Sequence, residues 1–153
     1  MYVKVEPSGC CVRKGMVQVR FSFYLKPTDA RYDEHHIQVP VIPEEGYPGE
    51  VDAEGRPVDM DAYDDWIESL PKKWQNNPFH NHFIYVEPDA TDKEILDIGE
   101  AFLDESYDDW SHNKKPKPKN KPVKYPESVD DKRQKACEAK VKHLKETILE
   151  RRR

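Results

Sequence analysis

Alternation of apolar and polar positions is clearest between Met16 and Leu25, where the chain reads MVQVRFSFYL. The apolar residues Val17, Val19, Phe21 and Phe23 point to one side, and the polar residues between them point to the other. A period of two residues predicts a β-strand with one buried face. The shorter run MYVKVE, which precedes it, alternates in the same way and predicts a neighbouring strand.

Two further apolar runs predict a third and a fourth strand, at His35–Ile42 and Phe79–Val86. Residues 7–15 contain proline and glycine and predict a turn between the first two strands. Residues 43–57 predict a loop that includes a short hairpin, with Gly55 placed for a type I turn followed by a bulge.

Helical spacing of apolar residues predicts two helices within the first 110 residues. The first runs from about Asp59 to Leu70 and is stopped by Pro71. It is expected to bury Met60, Tyr63, Trp66, Ile67 and Leu70. The second begins at Thr91, which forms a capping box with Glu94, and carries a wide apolar stripe.

A third helix is predicted from Ser128 to about Glu150, with Asp131 in the capping position three residues after Ser128. Its apolar stripe is narrow, with spacings of four, three and four residues, and consists of Cys137, Val141, Leu144 and Ile148. A stripe of this kind binds something: the rest of the chain, a second copy of the chain, or another protein. Self-association through this helix is therefore one expectation.

These elements predict an α+β fold, with a small, mostly antiparallel sheet and two acidic amphipathic helices in residues 1–110. Residues 111–127 are rich in lysine and proline and predict an extended linker. Residues 128–153 form the predicted basic helix. Direct binding of nucleic acid is expected only through the lysine-rich linker.

Charge divides the chain into two parts of opposite sign. Residues 1–110 contain 24 acidic and 10 basic residues, whereas residues 111–153 contain 6 acidic and 15 basic residues. Such a division indicates either two functional surfaces or a basic segment that folds back on an acidic body.

The acidic body is expected to bind a protein partner with a basic surface, because opposite charges accelerate and orient association. Four carboxylates lie three and four residues apart on one side of the second helix and are candidates for this surface: Asp97, Glu100, Asp104 and Asp108. An acidic inhibitor or a mimic of nucleic acid is one version of this hypothesis. A solvated acidic face is the other interpretation of the same residues.

Two histidines, His80 and His82, stand one residue apart on the fourth strand and therefore project to the same side. If the third strand is adjacent, His36 is a candidate third ligand. Imidazole ligands favour zinc or non-haem iron, which makes a small metalloprotein the alternative hypothesis. Histidines that are ordinary amphipathic sheet residues explain the same pattern.

Location and class follow from what the sequence lacks. It has no run of 18 apolar residues and no signal-peptide pattern, and its three cysteines fit reduced thiols. It also lacks a phosphate-binding glycine loop and a nucleophile motif. The sequence therefore predicts a cytoplasmic, non-catalytic interaction protein with no membrane segment.

Overall fold

The computed structural model describes the backbone of residues 1–111 and 123–152, and the side chains of residues 1–104 and 123–152. Residues 1–33 form one compact unit with the described residues from 78 onward, and residues 34–77 form a second. The elements in chain order are β1 (Tyr2–Arg13), β2 (Met16–Tyr24), α1 (Tyr32–His35), β3 (His36–Pro40), α2 (Met60–Ser69), β4 (Lys72–Asn76), β5 (His80–Val86), α3 (Asp92–Ser111), α4 (Asp131–Glu146) and β6 (Glu150–Arg152).

The first unit contains a four-stranded antiparallel sheet in the order β5-β2-β1-β6. The predicted strand at residues 16–25 is confirmed as β2, with Val17, Val19, Phe21 and Phe23 fully buried. Together with the helices, this sheet confirms the predicted α+β fold class.

The turn between β1 and β2 is tighter than the sequence predicts. It consists of Lys14 and Gly15, both with positive φ (50° and 76°), as a two-residue hairpin of type I′ requires. β1 continues through Pro7 and Gly9, and its register shifts between Glu6 and Cys11. The proline and glycine expected to form a turn therefore lie in a β-bulge, which admits irregular residues without ending the strand.

Two helices cover one side of this sheet. Gly99 allows α3 to approach closely, because a Cβ atom at this position would lie 3.0 Å from Phe21 and from Val3. Leu103 and Ile95 on α3 join the buried core, as do Cys137 and Leu144 on α4. The capping hydroxyl predicted for α3 is confirmed, since Thr91 Oγ1 accepts a hydrogen bond from the Glu94 N–H at 3.2 Å.

The C-terminal segment differs from the prediction at both ends. α4 is capped by Asp130, whose carboxylate accepts from the Arg133 N–H at 2.7 Å, and not by Ser128. It ends at Glu146, after which Glu150–Arg152 pair with Tyr2–Lys4 as β6. Basic residues near the C-terminus, which the sequence predicted as the end of a helix, therefore form an edge strand. They form it because β1 lies beside them.

The second unit is built on a two-stranded antiparallel sheet in which β3 pairs with β4. β4 was not predicted, because KKWQN has almost no apolar alternation. The predicted turn at Gly55 is confirmed: its φ is +81°, its N–H bonds to the Asp52 carbonyl, and Val51 and Pro57 form a bridge. Within the described residues, no helix has the length and apolar character needed to cross a membrane.

Candidate functional site

His80 and His82 lie on the same side of β5, as predicted, and both contact an aromatic ring of α3. The His82 ring stacks on Phe102 at a centroid distance of 4.6 Å, and the His80 ring lies 6.3 Å from Phe102 and 6.4 Å from Phe23. Burial lowers the pKa of His82, and the neighbouring His80 contributes to the same shift. These contacts make the pair part of the packing between the sheet and α3.

His36 was a candidate third ligand only if β3 were adjacent to β5, and the two strands are not paired. β3, which carries His36, pairs with β4, whereas β5 pairs with β2. His36 stacks in parallel on Trp74 at 4.8 Å within the second unit. Among the described residues, no group of three histidine, cysteine or carboxylate side chains is placed to hold a metal ion.

The acidic side of α3 is occupied in part by the chain itself. Arg151 on β6 donates to Asp97 and, at 2.9 Å, to Glu100. The hydrogen bond from Arg151 lowers the pKa of Asp97, and Lys93 adds to the effect. Asp104 is exposed and also has an interaction, and the side chain of Asp108 lies outside the described residues. Two of the four predicted partner-binding carboxylates are thus already paired.

The predicted apolar stripe of the C-terminal helix is split by the structure. Cys137 and Leu144 are fully buried, Val141 is partly buried against the same core, and Ile148 is 76% exposed. Burial raises the pKa of the Cys137 thiol, which donates to the Gly15 carbonyl at 3.4 Å. This helix packs against the sheet of the same chain. Cys137 and Leu144 are therefore not on a surface that a partner can reach.

Ion pairs between the basic helix and acidic residues accompany this packing. Arg133 pairs with Glu87 at 2.7 Å. Asp92, at the start of α3, is 2.9 Å from His143 and 3.7 Å from Lys140. The basic segment thus folds back on acidic positions of the first unit.

Acidic residues make up a larger share of the second unit than of the first unit as a whole. Residues 34–77 contain eleven acidic and three basic residues, a net charge of −8 with histidine neutral, and all eleven carboxylates are exposed. Asp61, Asp64, Asp65 and Glu68 lie on α2, whose N-cap Asp59 accepts from the Asp61 and Ala62 N–H groups. A helix with this composition presents a strongly negative surface.

The same unit exposes large apolar side chains. Among residues 34–77, all of which the structure describes, none is buried. Trp74 is 61% exposed, Val58 58% and Met60 54%. Four other exposed side chains complete the set: Ile37, Val41, Ile42 and Val51. The expectation that α2 buries Met60 is therefore wrong, and the remainder of its predicted stripe is only half-buried.

Three aromatic rings hold the loop of the second unit on α2. Tyr47 meets Tyr63 edge to face at 5.2 Å and Trp66 at 5.1 Å. The Tyr47 ring lies over Gly49, where a Cβ atom would come within 2.4 Å of it. This cluster leaves the charged side of α2 and the apolar residues named above exposed. The density of carboxylates is visible in the sequence, but the exposure of the apolar residues is not.

Comparison of the chain with protein-family models, with curated proteins and with solved structures finds no match.

Proposed function

We propose that the protein is a non-catalytic interaction protein whose second unit binds a basic surface of another protein. The observation that carries the proposal is the combination, in residues 34–77, of a net charge of −8 with seven exposed large hydrophobic side chains. We therefore assign the partner surface to the second unit; on α3, Arg151 already pairs with Asp97 and Glu100.

Charge complementarity selects the class of partner. Carboxylates spread over α2 and the preceding loop attract lysine- and arginine-rich surfaces and repel acidic ones. Such steering weakens with salt, because exposed charges are screened over about 8–10 Å at physiological ionic strength.

The exposed apolar residues add affinity that salt does not remove. Aromatic and methionine side chains are enriched at the centres of protein interfaces, and Trp74 and Met60 are of these types. A partner with apolar side chains among its basic residues therefore fits this unit better than a purely polycationic segment.

A charge-reversal variant tests the proposal. Asp61, Asp64 and Glu68 are exposed on α2, and changing all three to lysine alters the charge of the second unit by +6. The matched control changes the exposed residues Asp89, Glu127 and Glu146 of the first unit in the same way.

Both variants and the unchanged chain are used to capture proteins from an extract of the native cell, followed by mass spectrometry. We expect the unchanged chain and the control to retain the same basic proteins, and the α2 variant to lose them. Retention of the same proteins by the α2 variant would contradict the proposal. An inhibitor or nucleic-acid mimic is the special case in which the captured protein binds nucleic acid and loses it when the chain is added.

One observation supports a second candidate, a metal-dependent function: His80 and His82 project from the same side of β5. Zinc or non-haem iron is the metal that this pair would favour. Metal analysis of protein purified without a histidine tag decides it. Near-stoichiometric metal that is lost when both histidines are changed to alanine would favour this candidate.

A further inference from the structure

The four-stranded sheet has a second face, opposite α3 and α4, which we call the open sheet face. Alternation identifies it: Val3 and Phe23 are buried on the helix side, so Tyr2 and Tyr24 are on the other. On β6, Arg151 reaches α3 and Arg152 lies over the Tyr2 ring. The open sheet face is therefore contributed by all four strands.

Aromatic rings are distributed over the open sheet face. Tyr2 and Tyr24 are opposite each other in the β1–β2 register and stack at 5.2 Å with an interplanar angle of 16°. Phe83 on β5 is 47% exposed, and Tyr85 lies two residues further along the same strand. Tyr125 meets Tyr85 edge to face at 5.7 Å and extends the row of rings beyond the strands.

Cationic side chains stand between these rings. Arg20 is opposite Phe83 in the β2–β5 register. Arg152 lies 4.2 Å above the Tyr2 ring, and Arg13 donates to the Tyr85 hydroxyl at 2.8 Å. Lys14 lies 5.1 Å from the Tyr125 ring. Arg13 and Arg152 are thus held beside aromatic rings by a hydrogen bond and cation–π contacts. Arg20 donates to the Ser8 hydroxyl at 3.4 Å.

The acidic residues of the open sheet face are engaged locally. Glu6 accepts a hydrogen bond from the Tyr24 hydroxyl at 2.7 Å, and Glu150 accepts from Arg152 at 3.4 Å. Between the rings, Ser22 donates to Asn81 Oδ1 at 2.6 Å, so the amide NH₂ group of the exposed Asn81 can donate to a ligand. The face therefore combines excess positive charge, rings and a hydrogen-bond donor.

We propose that the open sheet face binds single-stranded RNA. An unpaired base would stack on Phe83, while Arg20, Arg13 and Arg152 contact phosphates of neighbouring nucleotides. Stacking on exposed rings and neutralisation of phosphates are the two interactions that single-stranded nucleic acids need from a protein surface. The proposal does not depend on the second unit or on its partner.

Two observations favour RNA over a protein ligand. The exposed apolar area consists of separate rings divided by charged side chains, which suits individual bases better than a continuous apolar surface. The positive side chains match a polyanion. The donors beside the rings, including Asn81, can also bind the ribose 2′-hydroxyl, which distinguishes RNA from DNA.

Fluorescence anisotropy of the full chain with a labelled pool of random-sequence RNA of about twelve nucleotides tests the proposal. We expect Phe83→Ala to weaken binding by about 5- to 140-fold, as loss of one stacking ring does. Phe83→Trp retains a ring and should retain binding. Trp74→Ala removes an exposed ring of the second unit and is the matched control, for which no change is expected.

In Arg13→Ala the slope of log affinity against log salt concentration should become shallower by about one, as expected for one lost phosphate contact. Binding by the lysine-rich residues 111–127 alone would leave the affinity of Phe83→Ala equal to that of the unchanged chain and would overturn the proposal. Absence of binding by the unchanged chain, preference for duplex RNA, or equal affinity for DNA of the same length would each overturn it as well.

Discussion

Arg151 is the residue that decides how two predicted partner-binding carboxylates are used. It donates to Asp97 and Glu100 from β6, a strand that the sequence did not predict. The three consecutive arginines of this segment look alike in the sequence. Their roles differ because strand geometry turns Arg151 toward α3 and Arg152 toward Tyr2.

His82 gives a prediction at the scale of a single residue. Its pKa is lowered because it is partly buried between the sheet and Phe102, with His80 beside it. The unfolded chain therefore binds a proton at this position more readily than the folded chain does. The free energy of unfolding should therefore decrease as the pH falls through the ordinary histidine range near about 6.5. Above that range His82 is neutral in both the folded and the unfolded chain and should not affect stability through protonation.

Urea unfolding between about pH 7.5 and pH 5.5 measures this effect. In His82→Gln the decrease in the free energy of unfolding over this interval should be smaller than in the unchanged chain. His35→Gln retains His82 and serves as the control. An equal decrease in His82→Gln and in the unchanged chain would contradict the prediction.

At the scale of elements, the sequence predicted what depends on local pattern. β2 alternates over its whole length, and Thr91 marks the start of α3, so both were predicted. β4 and β6 were not, because three to five residues with little apolar alternation become strands only when a partner strand lies beside them. The pairing of β3, which carries His36, with β4 likewise depends on a partner strand that the sequence did not predict.

The attachment of α4 leads to a second prediction. Leu144 is fully buried, whereas Ile148, predicted to lie on the same stripe, is 76% exposed because the helix ends at Glu146. Leu144→Asp should therefore lower the free energy of unfolding by about 4 kcal/mol or more, since it buries a charge in the core. Ile148→Asp is the matched control and should change it by less than about 0.5 kcal/mol.

Amide hydrogen exchange of residues 131–146 measures the effect on α4 directly. In Leu144→Asp these amides should exchange rapidly. In the unchanged chain they should remain protected at about 0.5 M salt, because apolar packing is not screened as ion pairs are. Two results together would show instead that ion pairs attach α4: loss of protection in salt in the unchanged chain, and retained protection in Leu144→Asp.

At the scale of the whole molecule, the sequence indicated opposite charges but not their arrangement. The basic helix meets acidic residues of the first unit through Arg133–Glu87 and through Asp92. Residues 34–77 carry a net charge of −8 with histidine neutral. Counting charges along the chain cannot show which carboxylates pair with a basic side chain, because tertiary contacts decide the pairing.

Limited proteolysis gives a prediction for the whole chain. Trypsin should cut after Lys114, Lys119 or Lys124, because the other lysines of residues 115–121 precede proline and resist cleavage. The two fragments should co-elute in native gel filtration, since α4 and β6 belong to the core of the first unit. They should separate in denaturant.

The same cut in the Leu144→Asp chain should release the C-terminal fragment under native conditions, whereas Ile148→Asp should not. Separation of the fragments from the unchanged chain without denaturant would show that the core contacts of α4 are too weak to hold it.

The pairing of Tyr2–Lys4 with Glu150–Arg152 also bears on how the protein is made. During translation β1 leaves the ribosome long before β6 does, so one side of β1 stays without its hydrogen-bonding neighbour until residues 150–152 emerge. Val3 and Val5 are meanwhile exposed on a strand that has neither helix over it. The nascent chain therefore offers chaperones a binding site that the finished protein no longer has.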